Sequence, residues 1–181
     1  MITMKLTFFL PLYKNTTKML EVTDENGNIA GSLKKFNDNK LLNNVGKHIS
    51  NKFVSNVKIH SLDGLKNYQI RTIDQIGLFY KMGRFSIWNG DTKIGNAKEQ
   101  RKLGIAIHFS IGKGKYRAAS KIESLRTIRY YSMFNGEEKL IAIANRSQNP
   151  KLNKMELEIF DHSHLDPMLL IGICYLHTIV K

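Results

Sequence analysis

Between Lys98 and Arg129 the chain places Lys98, Arg101, Lys102, Lys113, Lys115, Arg117, Lys121, Arg126 and Arg129 against Glu99 and Glu123. Cations at this density offer what phosphate groups need, Arg as a planar fork of donors and Lys as a compact point charge. Lys113, Lys115 and Arg117 alternate, so an extended strand puts them on one face and turns Tyr116 to the other. The candidate anionic-ligand site is therefore Lys113, Lys115, Arg117, Lys121, Arg126 and Arg129, centred on the alternating three. The competing reading is a solvated strand exterior, because exposed lysines also guard sheet edges. Tyr130 and Tyr131 are the aromatic pair nearest these cations, and bases of single-stranded nucleic acid stack on such rings.

Other candidate chemistry resolves into structure. Gly112-Lys-Gly-Lys-Tyr116 lacks the first glycine and the Ser/Thr that a phosphate loop requires at fixed spacing, so it reads as a hairpin or bulge. His162 and His164, with Asp161 and Asp166, are metal-ligand types, and alternate residues of an extended segment point the same way. They have no obvious Cys or His partner nearby, so a polar turn leading into a capped helix is preferred, and no metal or other cofactor is assigned. Cys174 is the single cysteine and lies in the most apolar stretch, where a thiol behaves as a small buried hydrophobe. It allows no internal disulfide, which fits a reducing, cytoplasmic setting. No G-x-S-x-G elbow, H-E-x-x-H pair or acid–base carboxylate pair stands out, so catalytic residues are none and the expectation is a protein that is not an enzyme.

The elements that must position the cations read as strands. Asn26-Gly27, Asn89-Gly90 and Asn135-Gly136 each separate alternating segments, and Asp63-Gly64 sits between Val57–His60 and Tyr68–Thr72. Such dipeptides mark hairpins, because two-residue turns need positive φ. Two of the hairpins also place a glycine shortly after the turn, Gly31 and Gly95. With further strand patterns at Ile105–Ile111, Lys115–Ala119 and Met155–Phe160, roughly ten to twelve short strands are expected, which points to a sandwich or barrel. A first strand fits Met1–Tyr13 better than a signal peptide does, since Pro11 breaks its apolar run and no small-residue cleavage site follows. Asn39–Ser50 is the one internal candidate for a short helix or loop.

The ending differs in kind. Asp166 and Pro167 make a helix start, and Met168–Val180 follows with almost no polar face. A helix apolar all round must be enclosed by protein or lipid. Thirteen residues at about 1.5 Å each fall short of the roughly 30 Å hydrocarbon core, so no transmembrane span is expected. The economical arrangement is a mainly β single domain over residues 1–181, a closed antiparallel barrel threaded by a C-terminal helix at about 165–180. Gly172 would let the barrel wall approach this helix closely.

Asp24-Glu-Asn-Gly-Asn-Ile-Ala-Gly31, the basic β segments, and Phe160-Asp161 followed by Asp166 and the apolar helix resemble the tubby C-terminal-like superfamily over roughly residues 19–181. That group includes tubby domains, LURP-one-related proteins and phospholipid scramblases. The resemblance implies a twelve-stranded barrel around a hydrophobic helix. Tubby domains bind phosphoinositides, scramblases act on membrane phospholipids and many LURP-one-like members have no assigned activity, so a lipid-facing role is one that the resemblance offers. The scramblase features of a proline-rich arm and a cysteine cluster are lacking, and Phe160–Asp166 is too poor in carboxylates for a calcium loop.

The 28 Lys and Arg against 15 Asp and Glu give a formal charge of +13, which favours polyanionic partners. The expected function is a non-enzymatic binding module recognising anionic phospholipid headgroups, or another phosphorylated ligand, with peripheral membrane contact. Nucleic acid on the same basic face is the alternative, and a protein-interaction scaffold with incidental charge is the third.

Overall fold

The computed structural model of the chain describes residues 4–11, 17–36, 56–73, 83–101, 104–121, 126–149, 152–163 and 165–179. Twelve strands account for most of them. They are β1 (Met4–Phe9), β2 (Leu20–Asp24), β3 (Ile29–Phe36), β4 (Asn56–Ser61), β5 (Asn67–Thr72) and β6 (Arg84–Asn89). The second half is β7 (Thr92–Arg101), β8 (Gly104–Ile111), β9 (Gly114–Lys121), β10 (Thr127–Phe134), β11 (Glu137–Arg146) and β12 (Lys154–Ile159). Each pairs antiparallel with its sequence neighbour, and β1 pairs with β12 to close the barrel. The expected stretch 39–50 lies outside the described residues.

The turns are where the dipeptides placed them. Asn135 (φ 50°) and Gly136 (φ 85°) both take positive φ, as a two-residue primed turn demands. At the other three hairpins only the glycine does: Gly27, Gly64 and Gly90. Gly31 and Gly95 have a different reason. Each stands beside a register shift in its hairpin, at Val22/Thr23 and Ile87/Trp88. A Cβ on Gly31 would lie 2.3 Å from the His60 carbonyl oxygen, and one on Gly95 1.9 Å from that of Ser110. The neighbouring strand's backbone leaves no room for a side chain there.

Strand alternation sorts the barrel into an apolar inner wall and a polar outer one. Leu33, Ile59, Ile70, Ile87, Ile107, Ala118, Ile128 and Leu157 point in, all essentially inaccessible. The single described helix, α1 (Pro167–Ile179), fills the space they enclose, and Met168 to His177 are all buried. Asp166 caps it: Oδ1 accepts from the Met168 amide at 2.8 Å. The Asp166 carboxylate also pairs with Lys66, tying the helix start to the β4–β5 hairpin. Opposite walls meet the helix. Tyr175 packs edge-on against Phe8 of β1 with ring centroids 6.1 Å apart, and His177 Nε2 lies 3.1 Å from the Ile105 carbonyl oxygen of β8. The helix is thus a core element, and no helix among the described residues is long and apolar enough to cross a membrane.

At Gly172 helix and wall approach closely, since a Cβ there would sit 2.5 Å from Ile59 Cδ1. Gly172→Ala is expected to cost about 1 kcal/mol net, roughly 1–3 from overpacking against about 1 gained in helix propensity. Adding Ile59→Val should recover part of that cost, so that the double variant in urea denaturation is more stable than the sum of the singles. Strict additivity would mean that the two side chains do not meet.

Candidate functional site

The outer face of β7–β10 is organised in cross-strand rows. One row runs Lys98, His108, Arg117, Tyr131 and the next runs Gln100, Ala106, Ala119, Arg129, each residue directly in register with the next. Beyond them Gly104 is paired with Lys121. Small outward residues Gly104, Ala106 and Ala119 make a low floor. The longer side chains around them stand up as walls, leaving a groove of about 440 Å³. That volume falls within the roughly 300–1,000 Å³ of small-ligand sites.

Three of the six expected cations line this groove: Arg117, Lys121 and Arg129. Lys115 shares their outer face on β9 but stands next to Ser110 and Met133, away from the floor. Lys113 is not on the strand at all. It occupies the β8–β9 turn after Gly112 (φ 55°), so the alternating row is shorter by one than the spacing predicted. Arg126 is exposed just ahead of β10 and does not line the groove. The tyrosine pair also separates. Tyr130 is fully buried in the core and only Tyr131 faces out, so no two-ring stacking platform exists there.

Arg117 is the most constrained of the cations. Its guanidinium lies 4.9 Å from the Tyr131 ring centroid, and NH2 donates to Glu138 Oε2 at 2.6 Å. Its Nε is buried with no acceptor among the described residues. Lys121 and Arg129 have no carboxylate partner among the described residues. His108, in register with Arg117, is held below its ordinary imidazole pKa by desolvation first, then by the Arg117 charge. Glu138 opposes this and Lys98 adds to it.

The spacing of the cations did not reveal His108, Gln100 or Glu138. His108 was legible in principle, because Ile105, Ile107 and Phe109 alternate with it along one strand. Glu138 arrives from β11 through a fold-back that no local pattern encodes. His162 is described and His164 lies outside the described residues; among the described residues no group of three or more His, Cys, Asp or Glu is arranged to hold a metal ion.

Three comparisons bear on this architecture. Residues 6–181 match the family described as the Tubby C-terminal like domain. A solved X-ray structure of a protein from Arabidopsis thaliana is similar in fold, with a TM-score of 0.60 over 98% of this chain and 91% of that chain at 13% identity. No curated protein matched the sequence.

The groove's electrostatics make a prediction independent of any ligand. His108 should titrate below about 6.5 in an NMR pH series. Arg117→Gln should move its midpoint up and Glu138→Gln should move it down, since each removes the charge acting in the opposite sense. An unchanged midpoint in both variants would place His108 outside the groove's field.

Proposed function

The chain belongs to the Tubby C-terminal like domain family, and from that premise we propose that it is a binding module whose β7–β10 groove takes a phosphate-bearing ligand, foremost an anionic phospholipid headgroup. The observation that carries this reading is the convergence of Arg117, Lys121 and Arg129 on a floor of glycine and alanine, with Lys121 and Arg129 lacking carboxylate partners among the described residues. Arg117 is oriented in advance by Tyr131 and Glu138, and its Nε is a donor that an anion's oxygen would satisfy. Little rotamer freedom is then left to lose on binding. Small floor residues let an anion approach the wall while the long cations close over it.

This role needs no bond making. The proposed role is peripheral, at the edge of a membrane, and the single cysteine fits a reducing, cytoplasmic setting for it. The net charge of +13 supplies a long-range attraction to any anionic surface, and the groove adds local specificity.

Vesicles of acidic phospholipid, neutral vesicles and a short single-stranded RNA, each at two salt concentrations, separate the readings. Binding to acidic vesicles that weakens with salt is expected. Lys121→Gln with Arg129→Gln should cost roughly thirtyfold in affinity, at about 1 kcal/mol per cation near an anionic surface. The control pair Lys93→Gln with Lys115→Gln, both exposed and outside the groove, should cost much less. Equal losses would replace the groove by a diffuse field. Preference for RNA would favour nucleic acid, and no binding at low salt would favour a protein scaffold.

A further inference from the structure

Six strands around the ring from β9, the wall opposite the groove carries a second concentration of charge, with a different construction. Lys34 on β3 and Lys58 on β4 are direct partners in the strand register. Both point outward, because Leu33, Lys35, Val57 and Ile59 on either side of them are buried. Residues directly opposite in an antiparallel pair have Cβ atoms about 4.5–5.5 Å apart, and like charges there repel. Lys66, Arg101, Arg117, Lys139 and Lys154 each have a carboxylate partner. Neither Lys34 nor Lys58 has one among the described residues. Glu21 is a diagonal step from Lys34, opposite Ser32, and forms no ion pair with it.

The surroundings are polar and ordered. His60 follows Lys58 on the same face and is in register with Ser32 and Asn67. Gln69 is paired with Lys58, and its Oε1 accepts from Arg71 Nε at 3.0 Å and NH2 at 2.7 Å. Arg71 lies over the Trp88 ring, 5.5 Å from its centroid. A third cation is therefore fixed one diagonal step from Lys58. Two opposed ammonium groups beside a pre-set guanidinium, without a carboxylate among them, form an arrangement that an anion would relieve.

We propose that Lys34 and Lys58, flanked by His60 and Arg71, form a second anion site that seats a single phosphate group between the two ammonium groups. The phosphate belongs either to a lipid headgroup or to a soluble phosphate compound. This site is separate from the β7–β10 groove and does not depend on it. Lysine point charges with rotatable donors suit a compact dianion approached from solvent.

His60 is a built-in reporter. Burial, Lys58 and then Lys34 hold its pKa below the ordinary imidazole value, while its β5 neighbours Asn67 and Gln69 are uncharged. An anion that neutralises the lysines must therefore raise it. The experiment is an NMR pH titration of the full chain alone, with inorganic pyrophosphate, and with monomeric dihexanoyl phosphatidic acid, His60 being assigned by His60→Gln. The expected result is an upward move of the His60 midpoint by roughly 0.5 with at least one probe. In Lys34→Gln/Lys58→Gln the midpoint should start higher and no longer respond. That variant removes a repulsion, so its melting temperature should hold or rise. A response to pyrophosphate assigns the phosphate itself, and a response to the lipid alone assigns the headgroup source. No movement at His60 with either probe, or movement that survives in the double variant, overturns the proposal. His108 in the same spectra reads the groove: movement there alone keeps the groove reading and removes this site, whereas movement at His60 alone does the reverse.

Discussion

Enclosure of an apolar helix by a closed sheet is the constraint from which the rest of the molecule follows. A closed barrel satisfies backbone hydrogen bonds around the whole ring, but it commits one residue in two to a lumen that must be filled. Here α1 does the filling. Leu169, Leu170, Ile171, Ile173 and Leu176 are buried on all sides. Each contributes on the order of 1.5–3 kcal/mol by leaving water. A helix of this composition has no soluble alternative, and a barrel of this girth has no alternative core. Gly31, near Met168, and Gly172, against Ile59, mark the places where the fit is tightest.

Because the inner wall is spoken for, charge goes outward. The exceptions are instructive: Lys35, Glu99, Ser120 and His177 are buried on the inner side, Ser120 and His177 together near the end of α1. Burial lowers the pKa of Lys35, and Glu99 accepts from the Gly83 amide and pairs with Arg101. His177 is placed between Ser120 Oγ and the Ile105 carbonyl oxygen. Glu99 and His177 have hydrogen-bond partners within reach, which offsets the cost of burying them, whereas the buried Tyr175 hydroxyl has none among the described residues. Elsewhere the described strands carry their cations on the outer wall. The proposed recognition is thereby left to that wall, on strands whose positions the core has already fixed.

How much of this was legible in the sequence depends on the range of the information. Turn chemistry is local, so Asn26-Gly27 and Asn135-Gly136 declared their hairpins, and Asp166-Pro167 declared the helix start. The all-round apolarity of Met168–Leu176 is local too, and it was enough to require enclosure, for which a barrel was the economical arrangement. Rows across strands are not local. That Ala106, Ala119 and Arg129 stand side by side depends on the registers of β8, β9 and β10 together, and one residue of slip would turn every side chain to the other face. The same holds for Lys34 opposite Lys58, which look unrelated at 24 positions apart. Lys113 was misplaced for a local reason: Gly112 at positive φ ends the strand before the alternation does.

The interdependence of helix and barrel is open to direct measurement in the intact protein by native-state amide hydrogen exchange. Amides of Ile171–His177 and of the wall residues Ile59, Ile107 and Ala118 should exchange only through one shared opening, with equal free energies and equal denaturant dependence. Helix amides that exchange through a separate, lower-energy opening while the wall stays protected would show that α1 leaves without opening the barrel. That result would contradict the account of the helix as the element around which the barrel closes.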